Sequence, residues 1–362
     1  MLGCWVRFRI AALFSRMGRT EHAIALLKSV IQQCPDHLAA RNELAWCLSN
    51  IERYEEAIAH YRLLADRLPH WVEPWLGLGE AFQRLGRHDE AIAAYSSAIE
   101  CDLSSALAHF NIADSYCAKG DLQSALVAYR RVMTIEPTNG HAAGNLGATL
   151  GLLGHWRDAV EWHRKAMALD PNTIHACNLG VALSELEEPE AAEGAFREAM
   201  KLGDTSAEVK ARLALAISDQ GRWDEALRVV EEVLVQDPSD AQALVVKSGT
   251  LLQLNRGEDA LAAARLAIDA HPDKEESRGA LAWALLKVGQ PAEALSTFES
   301  LQPSHHHVDV SAGRGAALSA LGRHEEAMAI FDAIRRAEPD YFETRPDFAA
   351  EYLARSRAAL RH

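Results

Sequence analysis

The sequence predicts an all-α protein, an α-solenoid of about ten helix pairs, because three residue types recur along it with one period. Glycines such as Gly86 recur where the first helix of a pair should end, and prolines such as Pro69 recur where the second should end. A fixed period of this length is typical of helical repeat architectures. Alanines recur every 33 or 34 residues, where each second helix should begin, at Ala23, Ala57, Ala91, Ala125, Ala159, Ala192, Ala226, Ala260, Ala294 and Ala327.

Each recurring residue has a steric role in a stacked helical hairpin. Glycine adopts the left-handed conformation that ends a helix at little cost. Proline after the second helix prevents that helix from continuing. A small residue eight places into the first helix, such as Gly79 or Gly147, lets the second helix approach closely. One pair cannot bury its apolar faces alone, so neighbouring pairs should stack and share a continuous core.

Several segments resemble the consensus of the tetratricopeptide-repeat (TPR) family. They are Leu146-Gly147, Leu179-Gly180, Trp75-x-x-Leu78-Gly79-x-x-Phe82 and Asp89-Glu90-Ala91-Ile92. The resemblance covers residues 4 to about 341. It implies antiparallel helix pairs in a right-handed superhelix, with first helices on the concave face and second helices on the convex face. We predict one solenoid over residues 1–341 and a capping helix over 342–362, with repeats starting near residues 4, 38, 72, 106, 140, 173, 207, 241, 275 and 308.

The C-terminal segment has the pattern of a helix that covers the last repeat. Thr344 can cap a helix over about 345–360, because Pro346 is tolerated in the first turn of a helix. The apolar side chains of Phe348, Tyr352 and Leu353 should pack on the preceding repeat. Such a cap is expected because the last repeat of a solenoid would otherwise expose its stacking face.

No comparable cap is recognised before the first helix, which carries apolar side chains on more than one side. Trp5 and Phe8 are its candidate docking residues, with Arg7 and Arg9 interleaved. Three interpretations remain open. The helix packs on the second repeat with some apolar surface exposed, it docks a partner or a second copy, or it lies on an anionic membrane surface, as basic amphipathic helices can.

In TPR proteins the ligand usually occupies the concave face, so the resemblance points to the inner positions of the first helices. Asn111, Asn145 and Asn178 recur at one such position. Stacked side-chain amides can hold the main chain of an extended peptide, since each offers a donor and an acceptor. Asparagine is also common at this position throughout the family, so a role in peptide binding and a consensus habit both remain open.

The other inner positions are unusually apolar. A large contiguous apolar patch usually marks a partner site, and aromatic residues are frequent binding hot spots. Closure of the superhelix or a crossing chain segment could instead cover part of this surface. The inner apolar residues predicted to bind a partner are Trp46, Leu76, Phe110, Val181, Leu215 and Trp283.

Composition and spacing argue against several other functions. A formal net charge of −14 disfavours binding to nucleic acid. No apolar run is long enough to span a membrane and no secretory leader is recognised, so membrane association is not expected and a cytoplasmic location is. Six widely spaced cysteines without a Cys-x-x-Cys pair predict reduced thiols rather than a disulfide or metal framework.

No arrangement of residues predicts catalysis, a cofactor or a metal site. His305, His306 and His307 form a cluster in a predicted turn, but adjacent histidines cannot all face one ion. No serine–histidine–aspartate or cysteine–histidine set has supporting context, so an enzyme is not expected. An acidic edge, predicted to be a solvated face, comprises Glu185, Glu187, Glu188, Glu190 and Glu193.

The sequence therefore predicts a non-catalytic scaffold or adaptor that binds a segment of a partner protein or a peptide in its concave groove. Self-association through the uncapped N-terminal repeat is a further expectation. The alternative function is a regulatory subunit, inhibitor or peptide receptor that controls an effector protein through a change in superhelix pitch. The two differ in whether ligand binding changes the pitch.

Overall fold

The computed structural model describes residues 2–301, 307–344 and 348–360, and within these ranges the regular elements are all α-helices. The predicted all-α class is therefore confirmed. The chain divides into two compact units, residues 1–182 and 183–362, and the boundary falls within one helix. The prediction of one continuous array over residues 1–341 stays a prediction.

Most of the helices are 13 to 15 residues long and follow one another as first and second helices of hairpins. In chain order they are α1 (Leu2–Arg16), α2 (Thr20–Gln33), α3 (Leu38–Asn50), α4 (Tyr54–Arg67), α5 (Val72–Arg84), α6 (His88–Cys101), α7 (Ala106–Lys119), α8 (Leu122–Ile135), α9 (Gly140–Leu152), α10 (Trp156–Leu169), α11 (Thr173–Glu185), α12 (Pro189–Lys201), α13 (Ala207–Asp219), α14 (Trp223–Gln236), α15 (Ala241–Gln253), α16 (Gly257–Ala270), α17 (Glu275–Lys287), α18 (Pro291–Glu299), α19 (His307–Ala320), α20 (His324–Ala337), α21 (Tyr341–Thr344) and α22 (Phe348–Ala359).

The turn inside each hairpin contains one residue in the left-handed conformation. Gly86 is an example, with a φ of 72°. In three turns a residue other than glycine takes the equivalent place: Glu52 (φ 62°), Glu187 (φ 57°) and Asn255 (φ 61°). Left-handed geometry costs a residue with a side chain about 1 kcal/mol. Packing of the adjoining helices thus holds the same turn where the sequence lacks the glycine.

Glycines inside first helices make room for aromatic rings from second helices. A Cβ atom added at Gly79 would overlap the ring of Tyr95 in the same hairpin, and one added at Gly77 would overlap the ring of Tyr61 in the preceding hairpin. The same relation recurs in the second unit, where Gly315 lies against a phenylalanine ring. Close approach of neighbouring helices therefore depends on these positions.

In the first unit, from α1 to α10, each first helix packs against the second helix of its own hairpin, and each second helix packs against the next first helix. First helices also contact one another, since α1 touches α3, α3 touches α5 and α5 touches α7. Second helices of neighbouring hairpins make no comparable contact in the described part of the unit. The first helices of this unit therefore lie on the inner side of its stack.

The second unit repeats this packing and ends in a cap. First helices again touch, from α13 to α19, and α22 packs against α19 and α20. Leu353 is buried and Tyr352 is half-buried against this core, as predicted. The Ser319 hydroxyl donates a hydrogen bond to the carbonyl oxygen of Tyr352 (2.9 Å). The capping helix is confirmed, and it begins at Phe348; the cap assigned to Thr344 and Pro346 lies outside the described side chains.

The prediction that all cysteines are reduced is wrong for one pair. Cys4 on α1 and Cys34, directly after α2, form a disulfide, with their Cα atoms 6.8 Å apart. The hairpin fold brings these residues together although 30 positions separate them. The cytoplasmic location stays a prediction, and this disulfide weighs against it, because cytosolic thiols are kept reduced. Among the described residues, no helix combines the length and apolarity needed to cross a membrane.

Candidate protein-binding surface on the first helices

The predicted binding residues of the first unit all lie on first helices. Trp46 on α3 is the most exposed of them, with 47% of its surface accessible. The other predicted residues are half-buried, and they are Leu76, Phe110, Asn111, Asn145, Asn178 and Val181. A half-buried side chain keeps its orientation while offering part of its surface, so these positions suit contact with another molecule.

Three further apolar side chains of the first unit are largely exposed on first helices. They are Leu107 on α7, Leu152 on α9 (71% exposed) and Ile174 on α11 (66% exposed). Leu107 was not among the binding residues predicted from the sequence. Its position as the second residue of α7 is the signal that could have identified it as a candidate. Together with Trp46, these residues are called the inner surface below.

Two predicted site residues belong to one polar and aromatic cluster. Phe110 packs edge-on against Tyr129, with ring centroids 5.7 Å apart. The Tyr129 hydroxyl donates a hydrogen bond to Asp114, and the Asn145 amide donates to Asp114 (3.3 Å) and to the Tyr129 oxygen (3.2 Å). Burial raises the pKa of the Asp114 carboxyl, and the hydrogen bonds that it accepts from Tyr129 and Asn145 offset part of the rise. The cluster fixes the first helices α7 and α9 against α8.

This cluster changes what Asn145 can offer a ligand. Its amide donor is engaged by the protein's own Asp114 and Tyr129, so a bound peptide would have to compete for it. Asn111 is similarly placed beside a tyrosine: burial raises the pKa of Tyr95, and a hydrogen bond with Asn111 offsets part of that rise. Peptide binding by the three asparagines stays a prediction.

In the second unit the two predicted residues differ in exposure. Leu215 on α13 is exposed. Trp283 on α17 is half-buried and packs edge-on against Phe298, with ring centroids 5.3 Å apart. Trp283 therefore contributes to the core of this unit as well as to its surface.

The N-terminal helix exposes the face that later first helices bury. Val6, Ile10 and Leu13 are exposed on α1. The residues 34 positions later, on α3, are all buried and are Ala40, Leu44 and Cys47. The exposed trio is called the α1 stacking face below. The predicted docking residues differ from each other: Trp5 is exposed with Arg9 over its ring (5.4 Å), whereas Phe8 packs on His37 (centroids 4.8 Å apart).

The predicted acidic edge is solvated except at one residue. Glu193 on α12 is only 5% exposed. Its carboxylate accepts hydrogen bonds from Gln220 (2.6 Å) and Arg222 (2.7 Å) and forms an ion pair with Arg197 (2.6 Å). Glu193 is therefore a structural ion-pair centre rather than part of a solvated face. The cluster of His305 and His306 lies outside the described residues, as does the side chain of His307.

Family comparison identifies the repeat. Three family models, each described as a tetratricopeptide repeat, match the chain. One matches residues 76–139, 211–275 and 280–342, which is more than half of the sequence. The second matches residues 16–71 and the third residues 140–169. No curated protein matches the sequence.

Two of the solved structures that resemble the chain, the first two described here, support the same fold. The C-terminal part of a TPR repeat-containing protein from Cytophaga hutchinsonii is 16% identical, with a TM-score of 0.55 over 66% of this chain and 99% of that one. The APC/C hetero-tetramer Cut9–Hcn1 is 19% identical, with a TM-score of 0.50 over 74% of this chain and 52% of the matched one. YrrB, described as a TPR protein with an unusual peptide-binding site, is 26% identical, with a TM-score of 0.45 over 52% of this chain and 97% of that one.

Proposed function

Because the chain belongs to the tetratricopeptide-repeat family, we propose that it is a non-catalytic scaffold that binds a segment of a partner protein. The observation that carries this proposal is the inner surface, four exposed apolar side chains on first helices of one unit. Exposed apolar groups that recur on one side of a fold favour association, because contact removes them from water. Trp46 is the anchor we expect to contribute most, since tryptophan is enriched among binding hot spots.

The inner surface predicts the chemistry of the ligand. Leu152 and Ile174 are more exposed than Trp46, so apolar side chains of a partner can cover them without reaching into the core. Half-buried polar groups lie among them, including Asn111 and Asn145. We therefore expect a peptide segment with spaced aliphatic or aromatic residues. Its main chain would form hydrogen bonds with the half-buried polar groups. The cytoplasmic location predicted from the sequence stays part of this proposal, although the Cys4–Cys34 disulfide favours an oxidising compartment.

Peptides selected on the full-length protein should lose affinity when the inner surface is truncated. We expect Trp46→Ala to weaken binding tenfold or more, because truncation of a hot-spot residue costs about 2 kcal/mol or more and 1.4 kcal/mol corresponds to about tenfold. Leu152→Ala combined with Ile174→Ala should weaken it further. Fluorescence anisotropy of labelled peptides from a displayed random library measures these affinities.

The matched control is Val127→Ala on the second helix α8, because Val127 is also largely exposed. It should leave the affinity unchanged. Equal loss in the control and the inner-surface variants, or no loss in either, would contradict the proposal. Small-angle scattering with the same peptide tests the alternative regulatory function, which requires a change in pitch on binding.

A second role, self-association, is favoured by the α1 stacking face. The other end of the chain is covered by α22, so one copy offers no open final repeat on which the α1 of another could stack. Two α1 faces can meet instead, which gives a closed dimer with twofold symmetry rather than a filament. The apolar trio is self-complementary in this arrangement, because the same face is contributed twice.

We expect Ile10→Glu to shift the protein from dimer to monomer, because it places a charge in the centre of the α1 stacking face. Sedimentation velocity across a range of concentrations measures the change. Val127→Glu is the control, as it adds the same charge to an exposed apolar site elsewhere. A wild-type protein that remains monomeric at high concentration would rule out self-association.

A further inference from the structure

Two histidines and one aspartate from successive helices converge in the first unit. His141 is the second residue of α9, Asp170 follows the last residue of α10, and His175 is the third residue of α11. The Asp170 Oδ2 atom lies 3.8 Å from the Nε2 atom of each histidine. One potential ligand atom of each residue lies within 4.8 Å of the other two. No short sequence motif reveals this grouping, because His141 and Asp170 are 29 positions apart and Asp170 and His175 are 5 apart.

His175 is built into the site. Only 4% of its surface is exposed, and neither ring nitrogen has a hydrogen-bond partner among the described residues. Its backbone N–H donates to Oδ1 of Asn172 (2.9 Å), which fixes the start of α11. The ring fits because residue 144 is glycine, where an added Cβ atom would overlap it. A buried imidazole with no hydrogen bond is costly, and its Nε2 atom faces the Asp170 carboxylate.

Asp170 is held in position by its neighbour. The Asn172 side-chain amide donates to Asp170 Oδ2 (2.9 Å) and to the Asp170 carbonyl oxygen (3.3 Å). A hydrogen bond of this kind orients a carboxylate as outer-sphere residues do around metal sites. Residue 140 is glycine, and a Cβ atom there would press on the Asp170 side chain. The local sequence therefore keeps room for the carboxylate between the two rings.

We propose that His141 Nε2, Asp170 Oδ2 and His175 Nε2 bind one divalent transition-metal ion, with Zn²⁺ as the best fit. Zinc takes histidine nitrogen at about 2.0–2.1 Å and carboxylate oxygen at about 2.0–2.2 Å, so two ligand atoms in a tetrahedral site stand about 3.4 Å apart. Both histidine–aspartate separations are 3.8 Å, so a small side-chain movement brings these atoms to that spacing. The His141 ring is largely exposed and can turn inward to complete the set.

The donor set selects the class of metal. Two imidazoles and one carboxylate suit zinc and its neighbours, whereas calcium and magnesium prefer oxygen ligands alone. Three protein ligands leave the fourth tetrahedral position open on the exposed side of His141, where water or a partner's side chain can bind.

Bound zinc would tie the start of α9 to the start of α11 through the turn between α10 and α11. It would thereby fasten the hairpin of α9 and α10 to the start of α11 within the first unit. A ligand that binds only the folded state raises the melting temperature, because it stabilises that state by RT ln(1 + L/Kd), where L is the free ligand concentration. The site is thus a stabilising staple whose open position offers a contact for a histidine or carboxylate of a partner.

The test uses full-length, untagged protein in which His305, His306 and His307 are replaced by serine, so that this cluster does not contribute. Competition against a chromophoric zinc chelator measures stoichiometry and Kd. We expect one Zn²⁺ per chain, and a loss of affinity of tenfold or more in His141→Ala. His141 is exposed, so this variant should fold, which circular dichroism checks. The control is His155→Ala, which removes an exposed histidine of the same unit and should bind zinc normally.

Cobalt gives an independent readout, because Co²⁺ in a site with three protein ligands and tetrahedral geometry absorbs visible light. The parent protein should show these bands, and Asp170→Asn should lose them. Equal zinc affinity in the parent, His141→Ala and Asp170→Asn would mean adventitious binding and overturn the proposal. The proposal would also be overturned if the parent protein, at about pH 7.5, bound no zinc at zinc concentrations below 100-fold that of the protein.

Discussion

Lowering the pH from 7.5 to 5 will destabilise the first unit by about 2 kcal/mol through His163, and His163→Phe will remove that contribution. His163 on α10 is 2% exposed, and its Nδ1 atom has no hydrogen-bond partner among the described residues. Burial lowers its pKa to about 4, with a smaller contribution from the charge of His175. In the unfolded chain the same group has a pKa of about 6.5.

The sign follows from proton binding. Between pH 6.5 and about 4 the unfolded chain takes up a proton that folded His163 refuses, so stability falls as the pH falls through this window. The loss levels off below about pH 4 at about 3 kcal/mol, since each unit of pKa difference corresponds to about 1.4 kcal/mol. Above pH 6.5 both states are neutral at this residue and the effect vanishes.

Phenylalanine is a fitting replacement because aromatic rings fill the equivalent place in other hairpins, including Tyr129 and Phe196. The wall beside His163 is Gly147, where an added Cβ atom would stand 2.8 Å from the ring. The measurement is urea unfolding followed by circular dichroism at pH 7.5 and 5, with a chelator present so that bound metal plays no part. His155→Ala, at an exposed histidine, should keep the full acid sensitivity. If His163→Phe kept it too, the buried imidazole would not be its cause.

Glu193→Ala will destabilise the second unit by about 2 to 3 kcal/mol. The change removes a buried acceptor that serves Gln220 and Arg222 and pairs with Arg197. Breaking a fully buried ion pair costs about 3–5 kcal/mol. The smaller value is expected here because both arginines are more than one third exposed and can return to water. The control is Glu190→Ala, at an exposed glutamate on the same helix as Glu193, and it should lower the stability by less than about 1 kcal/mol.

The same cluster predicts a second acid transition. Burial raises the pKa of Glu193, but the hydrogen bonds from Gln220 and Arg222 and the charges of Arg197 and Arg222 outweigh it, so the net pKa is lowered. A carboxyl whose folded pKa is depressed stabilises the fold above its unfolded pKa of about 4.3 and loses that contribution as the pH falls further. Between pH 4.5 and pH 3, the urea concentration at the unfolding midpoint should therefore change less for Glu193→Gln than for the wild-type protein. Hydrogen exchange over α12 to α14 localises the effect, and unchanged protection there in Glu193→Ala would contradict the assignment.

The sequence by itself determined the class of fold, the helical hairpin and the family. These follow from the period because each unit must repeat the same local sterics: a small residue where helices cross, a left-handed turn and a stop after the second helix. The capping helix could also be predicted, since Tyr352 and Leu353 carry the apolar pattern of a first helix without a following partner. The proposed binding residues could be placed on first helices for the same reason.

Tertiary structure alone decided which side chains of different helices and turns meet. Glu52 and Glu187 take left-handed turns that their side chains disfavour, because the helices on either side fix the geometry. Cys4 meets Cys34, Glu193 is drawn from a charged run into a buried ion pair, and His141 comes within reach of Asp170 and His175. The period defines where each backbone segment goes, but which polar groups become neighbours depends on the approach of helices some 30 residues apart. No pattern within a single helix contains that information.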